Sequence, residues 1–109
     1  MEAGKLRHRI TIKRKLVTRD SFGEEVVTYS AGDGLWASIE PLRGQEFIEA
    51  QKAGVTVDTR IRIRYRDGLS TNMVVMWGEH TYDVLAVINV KEDRRETQLM
   101  VKEVSTHAH

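Results

Sequence analysis

Cysteine is absent from the 109 residues, proline occurs once, at Pro41, and aromatic residues make up only 6% of the chain. Without thiols there is no disulfide framework, no thiolate metal site and no cysteine nucleophile. No apolar run approaches the roughly 20 residues that a bilayer-crossing helix needs. The charges of the first ten residues, MEAGKLRHRI, are not followed by an apolar stretch, so no secretory signal is expected and synthesis is expected in the cytoplasm. The four histidines are scattered: His8 and His80 fall in strand-like segments, His107 and His109 in a terminal tail. Two ligands on a chain end do not make a metal site. No Ser-His-Asp grouping stands out, and the carboxylates occur singly among bases rather than as pairs suited to acid–base work. These absences leave an enzyme without visible machinery, and no cofactor or metal is expected.

The composition that remains, 40% hydrophobic and 30% charged, is that of a soluble globular protein with one modest core. The net charge of +1 conceals an asymmetry. Residues 1–19 carry seven basic groups against Glu2, a net of +6, and the other ninety residues carry ten basic and fifteen acidic groups, a net of −5. A basic leading segment on an acidic body steers toward phosphate or toward acidic faces of other copies, unless it is simply a solvated strand face.

The clearest element is Val57 to Arg66. Val57, Thr59, Ile61, Ile63 and Tyr65 alternate with Asp58, Arg60, Arg62, Arg64 and Arg66. A period of two predicts a strand with one apolar and one charged face. A second amphipathic strand is expected over residues 6–17, with Leu6, His8, Ile10, Ile12 and Leu16 on one face and Arg14 interrupting it. The polar stretch from Thr18 to Gly23 should reverse the chain into a strand at residues 24–30, making residues 6–30 a long basic hairpin. Ala31-Gly32-Asp33-Gly34 reads as a plain turn, too short for a phosphate cradle and lacking its lysine. Leu35 to Glu40 is a third strand, ended by Pro41, which cannot donate to a ladder.

The period then changes to about three, with Phe47, Ala50 and Ala53 beside Ile48 among good helix formers. About ten helical residues are expected within 43–54, with Gly54 suited to the left-handed position past the end and no good cap at the start. Strands follow at Met73 to Trp77, apolar on both faces, at His80 to Val90 after a Gly78-Glu79 turn, and at Gln98 to Val104 with Leu99 and Val101 inward. The expected fold is mainly β: a small antiparallel barrel, closed or partly open, of six to seven strands with one short helix. Residues 1–104 form its single domain, with the 43–54 helix or loop inserted and 105–109 a frayed tail.

Four arginines about 6.6–7 Å apart on one strand face repel one another unless matched. Three readings follow: cross-strand Glu and Asp neutralise them on a solvated face, acidic residues of a neighbouring subunit meet them, or nucleic-acid phosphate does. Tyr65 faces away from the arginines, which thins out the base-stacking that single-strand binders use.

Several segments together resemble the head-tail joining, or head-closure, proteins of long-tailed bacteriophages and prophages. They are Gly4-Lys5-Leu6-Arg7-His8-Arg9-Ile10-Thr11-Ile12, then Leu35-Trp36-Ala37-Ser38-Ile39-Glu40-Pro41-Leu42-Arg43-Gly44-Gln45-Glu46, then Thr59 to Arg66, and Met76-Trp77-Gly78-Glu79-His80-Thr81-Tyr82-Asp83-Val84. The resemblance implies a structural virion protein, not an enzyme. It implies a ring of roughly twelve copies below the portal and adaptor, with tail proteins beneath and packaged DNA passing through, and no membrane partner. Such a ring closes or lines the DNA exit channel, and its subunits wait in the host cytoplasm before joining the virion. Within it, Arg7, Arg9, Arg60, Arg62, Arg64 and Arg66 are expected at subunit or partner contacts. Arg43, Gly44, Gln45, Glu46 and Gly54 are expected in a movable segment facing the channel, unless that segment is a fixed helix covering one barrel end. The competing function is a small barrel that binds single-stranded nucleic acid.

Overall fold

The computed structural model describes residues 6–90 and 95–104, with the side chain of Val90 left aside. The expected tail, most of the charged 91–96 connection, His107 and His109 lie outside the described residues. The elements are β1 (His8–Arg19), β2 (Glu25–Tyr29), β3 (Asp33–Pro41), α1 (Gly44–Lys52), β4 (Thr59–Arg64), β5 (Met73–Trp77), β6 (His80–Val90) and β7 (Glu96–Val104). All pairings are antiparallel and run β2-β1-β3-β4-β7-β6-β5, with β5 returning to β1. That last pairing, Thr11↔Met76 to Arg14↔Met73, closes six strands into a barrel and removes their open edges.

The alternation that marks each strand in sequence is the one the barrel uses. Ile10 and Ile12 from β1, Ala37 from β3, Ile61 and Ile63 from β4, Val75 from β5, Tyr82 and Val84 from β6, and Leu99 and Val101 from β7 share one buried cluster. Burying a Val, Leu or Ile side chain stabilises by about 1.5–3 kcal/mol, so the eight such positions, with Ala37 and Tyr82 among them, are what hold the sheet shut against its conformational entropy. The two buried threonine hydroxyls among the described residues are satisfied: Thr97 donates to Asn89 (3.0 Å) and Thr59 to Asp58 (2.9 Å). β5 is covered on both faces, Val74 and Val75 being neighbours and both buried.

At four places the structure corrects the expected strands or adds local detail to them. β1 runs on to Arg19, but it leaves the barrel at Arg14, so Leu16 is exposed rather than inward. The hairpin over 6–30 forms, yet β2 pairs only with Lys15–Arg19 and all five of its residues are exposed; beyond the barrel there is no core for it to face. Asp33 and Gly34 belong to β3 rather than to a turn, and Gly32 crosses β1 so closely that a Cβ there would sit 2.2 Å from Thr11 Cγ2. In β6 the register with β7 shifts between Val84 and Ala86, so Leu85 is an extra residue. This bulge reverses the phase: Val87 packs on the core and Ile88 points to solvent.

Helix α1 forms within the expected span and ends at Ala53, with Gly54 at φ +77° past it. None of its residues is buried. The insertion is pinned at its two ends by buried Leu42 and Val57, and by the Leu42 amide donating to the Asp58 carbonyl (2.9 Å).

Candidate assembly surface

The outward face of β4 carries Arg60, Arg62 and Arg64 because Thr59, Ile61 and Ile63 are committed to the core. Its neighbours β3 and β7 supply the matching acids. Arg62 lies 3.0 Å from Glu40 and 3.4 Å from Glu96. Arg60 reaches Glu46 on α1 and, at 3.9 Å, Glu40. Arg66 meets Asp33 at the start of β3. Cross-strand neutralisation, one of the three readings of the stripe, therefore accounts for Arg60, Arg62 and Arg66. Arg64 is exposed and has no carboxylate partner among the described residues. The Arg60 Nε is buried without a hydrogen-bond acceptor.

The other basic residues sort in the same way. Lys15 pairs with Asp83 (3.0 Å), and Arg14 donates to Asn72 Oδ1 and to the Gly68 carbonyl, both at 3.2 Å, which ties the root of the arm to the 67–72 loop. Arg9 lies over the ring of Trp36, 5.5 Å from its centroid, and Trp36 is half exposed on the outer wall. Arg7 is exposed just before β1. Arg43, Gly44, Gln45 and Glu46 are exposed at the start of α1, where Arg43 occupies the cap position without a side-chain capping bond. Gly44 at φ +58° and Gly54 flank the helix, so both ends turn on residues in the left-handed region.

Three further features mark the surface, the first two of them not anticipated from sequence. A row of rings, His8, Trp77, His80 and Tyr82, runs along one barrel wall with centroid spacings of 4.6, 5.2 and 6.2 Å. His80 Nδ1 sits 2.6 Å from Glu103, and burial, then the Glu103 and Asp58 charges, push the Tyr82 phenol above its ordinary value near 10. A pocket of about 200 Å³ opens beside Trp36, lined by Leu6, Leu35, Arg64, Tyr65 and Arg66. The third feature is the β1–β2 ribbon, in which β2 pairs only with the outer part of β1 and is exposed throughout; the molecule measures 48 × 31 × 27 Å. No group of three or more metal-ligating side chains occurs among the described residues.

A barrel whose interior is filled by its own side chains, whose outer wall is laced with ion pairs, and which carries a ribbon and a helix outside the core is a protein defined by its surfaces. The chain belongs to the phage head completion proteins, whose family model matches residues 1–104. It is similar to the head completion protein gp7 of Enterobacteria phage HK97, with 28% identity over 90 residues covering 81% of this chain and 80% of that one. A protein of Shigella flexneri 2a, solved in solution, superposes with a TM-score of 0.72 at 26% identity, over 97% of this chain and 99% of the other. A chain of the native gene transfer agent virion has the same fold, with a TM-score of 0.63 at 17% identity over 91% and 96% of the two chains. The family membership makes this a structural protein of the phage head.

Proposed function

We propose that the chain joins head to tail as one subunit of a ring of roughly twelve copies, seated below the portal and adaptor and above the tail, with packaged DNA passing through it. The observation that carries this reading is the pair of ordered elements that contribute no buried residue to their own barrel: the projecting part of the β1–β2 ribbon, residues 15–29, and α1. An ordered element that its own fold does not use is available to a partner. The appearance of the same fold in a chain of a virion supports it.

In this ring Arg7, Arg9 and Arg64 meet acidic patches of the neighbouring subunit or of the adaptor. Arg60, Arg62 and Arg66 act one step removed, since Glu40, Glu46, Glu96 and Asp33 match their charge within the chain. The 43–54 segment faces the channel. A nine-residue helix without buried contacts has little stability of its own, and glycines at both ends let it swing, as a closure that must open for DNA requires. The subunit performs no chemistry and assembles in the host cytoplasm before it becomes part of the virion.

The test is a phage or prophage lacking this gene. It should accumulate DNA-containing heads that leak or fail to bind tails, and the wild-type chain supplied in trans should restore infectious particles. Unchanged infectivity without the chain would remove the proposal. Single-stranded nucleic-acid binding is the second reading, favoured by exposed Trp36 beside Arg9 and Arg64. It requires filter retention of DNA or RNA at physiological salt that falls steeply as salt rises.

A further inference from the structure

The ribbon ends in a knob. Asp20 Oδ1 accepts from the amides of Phe22 (2.8 Å) and Glu24 (3.0 Å), the Gly23 amide donates to the Asp20 carbonyl (3.0 Å), and the Asp20 amide donates to the Glu24 carbonyl (2.9 Å). Arg19 closes the turn by donating to the Gly23 carbonyl (2.8 Å) and lying 3.8 Å from Glu25. Phe22 stands on this fixed turn with 87% of its surface exposed. An aromatic side chain on a mobile loop would be unremarkable, but a turn locked by side-chain and main-chain bonds holds the ring out at little further entropic cost on binding. Apolar Val17, Val27 and Tyr29 continue one face of the ribbon behind it, also exposed.

The same chain carries a hole. The pocket beside Trp36 has a volume of about 200 Å³, below the roughly 300 Å³ where small-molecule sites usually begin and of a size for a single aromatic side chain. Knob and hole cannot meet within one molecule. Trp36 pairs with Arg9, and the ten residue steps of unbroken strand from Arg9 to Arg19 set the two on the order of 30 Å apart at about 3.3 Å per residue. Their charges are opposite. Around Phe22, Asp20, Glu24 and Glu25 outnumber Arg19; around the pocket, Arg9, Arg64 and Arg66 outnumber Asp33 and Asp67.

We propose that the Phe22 tip of one copy seats in the Leu6/Leu35/Trp36/Tyr65 pocket of a second copy. A contact between two different patches of identical chains propagates head to tail, which is the kind of contact a ring closes with. This names the subunit contact of the ring proposed above and rests on that reading.

The chain has no cysteine, so paired cysteines report the contact cleanly. Ser21→Cys, next to the knob, and Asp67→Cys, exposed beside the pocket residue Tyr65, leave Phe22, Trp36 and Arg64 in place. Mixed at high concentration under disulfide-exchange conditions, and also assembled together into particles, they should form a heterodimeric disulfide. A chain bearing both changes should form a ladder. Adding Phe22→Ala to the Ser21→Cys chain should lower the yield at least about tenfold, as the loss of a central aromatic anchor does. The control partner is Ile88→Cys, similarly exposed on β6. Ser21→Cys linking to Asp67→Cys no better than to the control, in solution and in particles alike, overturns the contact. If that occurs while the chain still completes heads, the contact is refuted and the head-joining role stands. A specific cross-link in a chain that does not complete heads supports the contact and removes the role.

Discussion

Arg62→Glu and Arg64→Glu make one chemical change two residues apart on one face of β4, and they should fail for different reasons. Arg62 sits between Glu40 and Glu96 at 3.0 and 3.4 Å, with 34% of its side chain exposed. Half-exposed ion pairs stabilise by about 0.2–1 kcal/mol each, so losing two costs about 0.4–2 kcal/mol. Reversal also puts a third carboxylate beside two others. Like charges 4 Å apart near a surface repel by up to about 4 kcal/mol, of which side-chain swing and salt leave about 1–2 kcal/mol. The total, about 1.4–4 kcal/mol, is a large part of the roughly 5–15 kcal/mol that holds a domain folded. At about 4–8 °C per kcal/mol for a chain of this size, Arg62→Glu should melt about 6–32 °C below wild type. Arg64 has no matching acid among the described residues, and exposed substitutions of that kind stay within about 0.5 kcal/mol, or about 4 °C. Its loss should appear instead in particle completion, since reversal sets a carboxylate against an acidic partner. Thermal melts followed by circular dichroism, with complementation of a gene-deficient phage, separate the two. An Arg62→Glu chain that melts with wild type would mean that the ladder of pairs does not brace the wall. An Arg64→Glu chain that completes heads normally would remove Arg64 from the interface.

Two further outcomes follow from the fold. The Tyr82 phenol is raised above 10 by burial and by Glu103 and Asp58, so the folded state keeps its proton while the unfolded chain loses it. Stability from this group is therefore full below about pH 10 and is lost as pH rises through the folded value, with a slope of at most about 1.4 kcal/mol per pH unit. Alkaline melts of Tyr82→Phe should lack that slope; a Phe variant that loses stability as steeply as wild type refutes the assignment. Ala50→Pro breaks α1, which would cost about 3 kcal/mol in a helix integral to the fold. Because no α1 residue is buried, the barrel should lose less than about 1 kcal/mol, and amides of 44–52 should exchange far faster than those of β4 and β7. Slow exchange in wild-type α1 would contradict a weakly held segment.

The barrel was legible because its strands obey a period of two under one constraint: the inward set must fill a common core. Ile61 and Ile63, Leu99 and Val101, and Ala37 declare their side by alternation alone. What alternation does not reveal is where a strand stops facing a core. Leu16 keeps the phase of Ile10 and Ile12, so it reads as inward, but β5 ends its pairing at Arg14 and Leu16, past that point, is 44% exposed. The bulge at Leu85 was hidden for a related reason. Both phases of β6 are apolar there, with Leu85 and Val87 on one and Ala86 and Ile88 on the other, so a one-residue slip leaves no mark in composition.

The candidate surface was half legible, and the missing half has a physical cause. Spacing reveals that arginines share a face, but pairing depends on which strands lie alongside. Glu40 and Glu96 are 22 and 34 residues from Arg62 in sequence, and only the order β3-β4-β7 brings both to it. The same topology places Arg64 and Arg66 beside Trp36 at one pocket. Phe22 gave a weak signal, an aromatic in a stretch of turn formers, and nothing local marks such a residue as an anchor until its turn is seen to be rigid. Charge matched inside the chain cannot also serve a partner at full strength, whereas charge and apolar area left over can. By that criterion Arg64, Phe22 and the outer face of α1, rather than the arginine stripe as a whole, are where substitutions should stop head completion while leaving the barrel folded.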